Sequence, residues 1–265
     1  MNLELSACIV VYNGSDEAIR AAQTVLQFTR RYPVTLYLVD NASPDGSGRK
    51  LEQAVQDGTL QPRPGQRVEV RCRTENGGFG TGHNMVLPEL TSDYHFILNP
   101  DIQLTEDTLS DLADWMEAHP EAVMARPSLC FPDGKPQQLP LRRCAVRPMV
   151  YRQLPALKFW KKYNDHYLML DEDLSHPVEI EFCTGSFAGV RTRAFRAVGG
   201  FDENYFMYVE DADLTQKMRT QGKVYLVPQY TAVHAWHRAA HRSLKPALWQ
   251  TGNLLRYFRK WGFRW

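Results

Sequence analysis

No stretch of these 265 residues approaches the ~18 consecutive apolar positions that a membrane-crossing helix needs, so no such helix is expected. An excess of one charge is also missing. Lys and Arg number 31 against 30 Asp and Glu, a net charge of +1, which argues against a chain built to coat nucleic acid. Cysteine is sparse. The five residues Cys8, Cys72, Cys130, Cys144 and Cys183 are odd in number and form no C-x-x-C pair, which predicts reduced thiols in a cytosolic protein and no zinc ribbon. The N-terminus has no basic stretch leading into an apolar one, so it is not read as a signal peptide. Internal repeats and low-complexity segments are absent. What is present is a hydrophobic fraction of 43%, enough for a globular core, in a length that suits one large domain. If such a chain works at a membrane, it does so from the cytoplasmic surface.

Leu5 to Tyr12 is a continuous apolar run ending at Asn13-Gly14, the pattern of a central parallel strand and its turn. Ser15-Asp16-Glu17 starts a helical pattern that continues to about Arg31. Val34 to Val39 reads as a second strand ending at Asp40, followed by a turn-rich loop from Asn41 to Ser47 and a helix near Arg49 to Gln56. Residues 57–67 hold two Gly and two Pro and predict a loop, and Val68 to Arg73 alternates as a strand does. The run Tyr94-His95-Phe96-Ile97-Leu98 is a further buried strand, and Thr105-Glu106-Asp107 suits a helix N-terminus. This alternation over the first ~120 residues predicts a Rossmann-like α/β fold, a mostly parallel sheet with helices on both faces. After about residue 125 the pattern loosens. Residues 130–180 are rich in proline and aromatics, a helical segment spans about Asp211 to Gln221, and Val224 to Val227 is a strand.

Several residues have the chemistry of a site. Asn99-Pro100-Asp101 places a carboxylate at the exit of a core strand, where open α/β sheets bind ligands. Such an acid either binds metal for a phosphorylated substrate or caps a turn. Asp40 stands at another strand exit and suits a ribose or a base imide, or again a cap. The glycine-rich Asn76 to Gly82 lets the backbone approach a ligand closely, but its spacing is not that of a dinucleotide fingerprint. The segment Gly199 to Leu214 interleaves aromatics with five acids, an environment that raises a carboxylate pKa toward general-base work. An acidic helix N-terminus reads the same way. His234, His237 and His241 are spaced to share one face of a helix, where three imidazoles hold zinc or one shares a metal with Asp101.

Taken in order, these segments resemble family 2 glycosyltransferases of the GT-A fold. The matching pieces are Cys8 to Asn13, Val39 to Ser43, Asn76 to Asn84, Leu98 to Asp101, Thr184-Gly185-Ser186, and Gly200 to Glu203 with Glu210 to Leu214. The Asn-Gly-Gly-Phe-Gly run, the Asn-Pro-Asp tripeptide and Tyr205 to Asp211 resemble the rhamnosyltransferase-like branch, which typically uses dTDP-L-rhamnose. The resemblance implies an inverting, metal-dependent hexosyltransferase acting on a glycan or polyprenyl-diphosphate-linked acceptor of bacterial cell-surface polysaccharide, at the inner face of the plasma membrane. It implies a GT-A domain over residues 1–240, with a nucleotide-sugar half at 1–125 and an acceptor half at 126–240. Val11, Asn13 and Asp40 would receive the nucleoside. Asn76, Gly78, Phe79 and Asn84 would border the diphosphate and sugar. Asp101 would bind Mg²⁺ or Mn²⁺ with His234 as its protein partner. Asn99 replaces the first acid of the usual D-x-D motif, so a charge is lost there. Glu210 and Asp211 would form the catalytic pair, with Asp211 the base.

Residues 241–265 form a tail in which Leu248, Trp249, Leu254, Leu255, Tyr257, Phe258, Trp261, Phe263 and Trp265 alternate with Arg256, Arg259, Lys260 and Arg264. A helix of this kind either lies on a membrane interface or packs on the domain. Three other functions compete. A UDP-hexose or UDP-N-acetylhexosamine donor would meet Asp40 equally well. A nucleotidyltransferase would carry a basic glycine-rich loop after the first strand, where this chain has Tyr12-Asn13-Gly14-Ser15-Asp16. A silent glycan-binding protein would have no use for both Asp101 and Asp211.

Overall fold

All seven residues of the first strand, β1 (Leu5–Val11), are shielded from solvent, which is why the sequence runs apolar there without alternating. In the computed structural model, which describes residues 3–154, 156–235 and 244–265, β1 is flanked by parallel neighbours on both sides. With β2 (Val34–Asp40), β3 (Gln66–Cys72) and β4 (Tyr94–Leu98) it forms a parallel set in the order β3-β2-β1-β4. Helices α1 (Ser15–Phe28) and α2 (Ser47–Gln56) make the first crossovers. α1 turns Ala18, Ala21, Ala22, Val25 and Leu26 inward, a stripe at helical spacing. α4 (Thr108–Ala118) begins as expected, with the Asp107 carboxylate accepting the Ser110 N–H. The register Val11 to Asp40 to Cys72 brings the parallel strands out at one edge, and that edge is where the site is built.

The second half of the sheet is mixed. It contains β5 (Ile102–Gln103), β6 (Ala122–Cys130), β7 (Val178–Glu179), β8 (Phe187–Arg191) and β9 (Lys223–His234). β8 runs antiparallel to both β4 and β6, β6 is parallel to β9, and β5 and β7 pair antiparallel with β9. The parallel order expected from the alternation over the first ~120 residues is found in β1 to β4, and the remaining strands make the sheet mixed. β6 and β8 escape a pattern reading for physical reasons. β6 carries a buried Arg126 and then Pro127, and its register shifts between Pro127 and Ser128. β8 has a glycine at its centre because a Cβ on Gly189 would stand 2.7 Å from the Phe96 ring.

Four further helices complete the face toward the site: α5 (Val146–Gln153), α6 (Lys161–Tyr167), α8 (Glu210–Arg219) and α9 (Leu244–Trp261). α9 is the expected C-terminal helix. It packs on the domain, burying Tyr257 and Phe258 in a cluster with Tyr167, Phe182, Tyr205 and Val209. Among the described residues no helix is long and apolar enough to cross a membrane. Of the three histidines expected to share a helical face, only His234 lies among the described residues. His234 closes strand β9, while His237 and His241 lie outside the described residues. Cys8, Cys144 and Cys183 are buried, and burial pushes the last two thiols up to about 12.

Candidate active site

Two loops at the strand exits are laced together. Asn13 takes a positive φ, and its N–H donates to the Ser43 hydroxyl at 2.9 Å. The next two N–H groups, of Gly14 and Ser15, donate to Asp45 and Ser47. Val11 turns its side chain wholly into the core, and its carbonyl accepts the Asn41 N–H. Asp40 is 5% exposed, and its carboxylate accepts the Ser43 N–H, so it does perform the capping that its position suggests. Asn41 is equally buried. Its side-chain amide donates to the Asn76 side chain at 2.8 Å and to the Gly78 carbonyl at 3.0 Å, tying this loop to the glycine-rich one.

The glycines of 77–82 serve a packing purpose that the sequence reading missed. Gly78 has φ 90°, and a Cβ there would collide with the Phe206 carbonyl. The closely approaching body is the chain itself. The short helix α3 (Phe79–Asn84) is thereby pressed onto the segment that leads into α8. Phe79 meets Phe201 and His83 edge to face. His83 is fully buried, and burial pushes its pKa down, so it is a neutral core residue. The Asn84 side chain accepts the Phe201 N–H and donates to the Phe201 carbonyl and to Glu203. In this structure Asn84 fastens that loop from both ends.

Asp101 and His234 are brought together by sheet pairing. Asp101 immediately precedes β5, and Ile102 is registered opposite His234 at the end of β9. The Asp101 Oδ1 and His234 Nε2 atoms are 3.3 Å apart. Gln137 fixes the imidazole: its Nε2 donates to the His234 carbonyl at 2.7 Å, and its Oε1 lies 2.8 Å from Nδ1. An amide oxygen only accepts, so Nδ1 carries a proton and Nε2 is the ring atom that faces the Asp101 carboxylate. A carboxylate oxygen and a ring nitrogen at that separation are near enough to bind one cation together. A carboxylate and an imidazole are appropriate donors for a divalent one, with substrate phosphates completing the shell. Among the described residues no group of three or more His, Cys, Asp or Glu is placed to hold a metal. Asp101 and His234 would therefore give a cation two protein ligands and leave the rest of its shell to a bound ligand.

The acid pair lies at the start of α8. Tyr208 and Val209 both have positive φ, near 70°, and a β-branched residue in that region is strained. The turn holds Glu210 and Asp211 in the first turn of the helix. Asp211 is half-buried. Its Oδ2 accepts the Gly185 N–H at 3.1 Å and its Oδ1 accepts the Ala212 N–H at 2.8 Å. Burial raises its pKa, and these two donations oppose that rise by favouring the anion. Glu210 is more deeply buried and one of its carboxylate oxygens lacks a hydrogen-bond partner. Burial first, and then the Asp211 charge, raise its pKa. Of the two, Glu210 is the one whose surroundings favour the protonated form more, since it lacks the backbone donations from Gly185 and Ala212 that Asp211 receives. Gly185 also links this pair to the cation side: one residue later, the Ser186 carbonyl accepts the Asn99 N–H at 2.9 Å.

A cavity of about 220 Å³ opens at the pair, walled by Met149, Arg152, Tyr167 and Tyr208 together with Glu210 and Asp211. Part of the loosely patterned 130–180 region thus faces Asp211. Asp213 is a different kind of acid. It is fully buried and held by Trp261 at 2.7 Å and by Lys260 at 2.9 Å, both from α9. Gln137 and Asn253 were invisible in the sequence, since each acts on a residue more than 40 positions away.

Comparison with known proteins agrees with this architecture. The family model for glycosyl transferase family 2 matches residues 6–199. An N-acetylglucosaminyl-diphospho-decaprenol L-rhamnosyltransferase of Mycobacterium tuberculosis is 29% identical over 268 residues, covering 92% of this chain and 79% of that protein. A rhamnosyltransferase of Escherichia coli (strain K12) is 28% identical over 192 residues, 69% of this chain and 70% of its own. Among solved structures, a mannosyltransferase from Pyrobaculum calidifontis in complex with GDP-Man and Mn²⁺ superposes with a TM-score of 0.64 at 15% identity. It is matched over 98% of this chain, which spans 64% of its length, and this likeness bears on the fold alone. S. aureus TarS 1–349 in complex with UDP gives a TM-score of 0.58 at 15% identity, over 97% of this chain and 72% of that one. The GT-A fold expected from the sequence is the fold observed.

Proposed function

The chain belongs to glycosyl transferase family 2, and from that membership we propose that it transfers L-rhamnose from dTDP-L-rhamnose to a hydroxyl of a lipid-linked glycan in cell-surface polysaccharide synthesis. The observation that carries the reading is the junction at Thr184-Gly185-Ser186. It joins Asp211, at the mouth of the cavity, to the strand exit bearing Asn99 and Asp101. Two relatives with rhamnosyltransferase names support the choice of sugar.

Asp40 and the loop from Asn41 to Ser47 receive the nucleoside in this reading, and Asp101 with His234 holds the divalent cation. When bound, that cation supplies positive charge against the charge growing on the departing nucleoside diphosphate. Asp211, whose two backbone donors favour its ionised form, takes the proton from the acceptor hydroxyl as that oxygen bonds to the anomeric carbon. The bond from the anomeric carbon to the diphosphate oxygen breaks in the same step, its electron pair leaving with the diphosphate. One displacement inverts the centre and requires no enzyme nucleophile. The acceptor sugar occupies the cavity beside Arg152 and Tyr208, and its lipid places the reaction at the inner face of the membrane.

Thermal shift tests the donor. With Mn²⁺ present, dTDP-L-rhamnose is expected to raise the melting temperature well above UDP-glucose or UDP-N-acetylglucosamine at equal concentration. A larger shift with a UDP-sugar would replace rhamnose with that sugar and keep the rest of the assignment.

A further inference from the structure

The connection between α5 and α6 turns apolar side chains to solvent. Leu154 is 57% exposed and Phe159 67%, and half-buried Trp160 meets Phe159 edge to face at 5.5 Å. Single large side chains on a surface need no explanation, but three within so short a stretch do. The surrounding charge has one sign. From Val146 to Lys162 the chain carries Arg147, Arg152, Lys158, Lys161 and Lys162 and no acid. The nearest following acid, Asp165, is already paired with Lys161. Aromatic rings beside unopposed cations are what a bilayer interface selects, the rings seated at headgroup level and the cations against anionic lipid.

Position adds a second argument. Met149 and Arg152 of α5 form a wall of the cavity at Asp211, and the exposed stretch begins directly after that wall. The end of the chain comes to the same side. The Arg264 carbonyl accepts the Val146 N–H, and Trp265, 75% exposed, shares a second cavity with Tyr163 of α6. The tail, for which membrane contact was one of two alternatives, thus ends beside this stretch.

We propose that Leu154, Phe159 and Trp160, with Lys158 and Lys162, form a docking face for an anionic phospholipid bilayer, set beside the cavity that receives the acceptor. The proposal rests on the reading that the acceptor is lipid-linked, because that is what gives a membrane face at this cavity its use. Docking here spares the acceptor from leaving the bilayer: only its sugar needs to cross the short distance along α5 to Asp211.

The test is co-sedimentation of the full chain with vesicles that contain no acceptor, so that binding is read apart from chemistry. Wild-type protein is expected to sediment with phosphatidylglycerol–phosphatidylcholine vesicles mixed at about 1:2, much less with phosphatidylcholine alone, and less as salt rises. The Phe159→Ser/Trp160→Ser and Lys158→Glu/Lys162→Glu variants are each expected to lose about tenfold in partitioning. Both should keep the wild-type rate on a water-soluble acceptor sugar. The charge variant keeps the apolar contacts intact and so remains informative if the serine variant melts early. Wild-type partitioning in both variants would overturn the proposal, as would the absence of any preference for anionic vesicles. Loss confined to Phe263→Ser/Trp265→Ser would assign docking to the tail instead, and it too would overturn it. None of these results depends on which sugar is transferred.

Discussion

Glu210 and Asp211 are adjacent in the chain yet differ in what surrounds their carboxylates. Asp211 has two backbone N–H donors, whereas Glu210 is buried with one oxygen unpartnered. Asp211→Asn is therefore expected to lower kcat by ~10²–10⁴-fold with nucleotide affinity retained, measured by steady-state kinetics and calorimetry. Glu210→Gln should keep most of the activity at neutral pH, because the amide resembles the protonated acid already present. Stability sets a second expectation for that variant. A carboxyl whose folded pKa is raised costs nothing while it is protonated both folded and unfolded. As pH climbs past the ordinary carboxylate range, the unfolded chain loses the proton that the folded one retains, and stability falls. Glu210→Gln removes that loss, so its melting temperature should gain on wild type progressively from about pH 5 to pH 8. An equal gain at both ends of that range would mean that Glu210 is not the proton carrier.

The last helix does more than cover the sheet. Asn253 of α9 is buried, and its amide donates to the carbonyls of Met207 at 2.8 Å and Tyr208 at 3.1 Å, within the strained turn that sets up the acid pair. Two more α9 residues, Lys260 and Trp261, hold Asp213 in the first turn of α8. Lys260 also bonds Asp202, which burial alone would raise but which this contact and Asn204 bring down to about 2. Asn253→Ala leaves two carbonyls without their donor and is expected to cost about 1–3 kcal/mol in denaturant unfolding. Because the turn positions Asp211, kcat should fall about tenfold while the KM for the nucleotide sugar stays unchanged. A stability loss without a kcat effect would reduce Asn253 to a structural role. None of this was legible in the chain. The apolar runs at β1 and β4 declare themselves because burial on both faces forbids polar residues, and Asp107 declares α4 because capping is local. Asn253 and Gln137 act across the fold through single amide groups, and such contacts leave no periodicity. Gly78 was visible, but its reason was not, since the Phe206 carbonyl it accommodates lies more than 120 residues away.

At the scale of the whole molecule, the sheet divides the work. The parallel half brings Val11, Asp40 and Cys72 to one edge, and the mixed half returns His234 antiparallel to the strand that follows Asp101. A ligand spanning the two halves should stabilise the entire fold. Saturating nucleotide with Mn²⁺, at about 100 times Kd, is expected to add about 2.7 kcal/mol to unfolding. Asp101→Ala should retain whatever stabilisation the nucleotide gives alone and lose the part that depends on the metal. An unchanged metal-dependent increment would remove Asp101 from the cation site. The sequence foretold the parallel half, the carboxylate at its exit and the Val224 to Val227 part of β9, whereas the proline-bearing β6 and the glycine-centred β8 could be seen only once folded. The bonds from Asn253 to the turn before Asp211 also order events in time. At a ribosomal pace of about 5–20 residues per second, the 42 positions from Asp211 to Asn253 take roughly 2–8 s to add. Through that interval a nascent chain carries β1 to β4 and Asp211, but not the amide that braces the turn before Asp211. The brace on the turn before Asp211 is therefore among the last contacts that the growing chain can make, after β9 has completed the mixed half of the sheet.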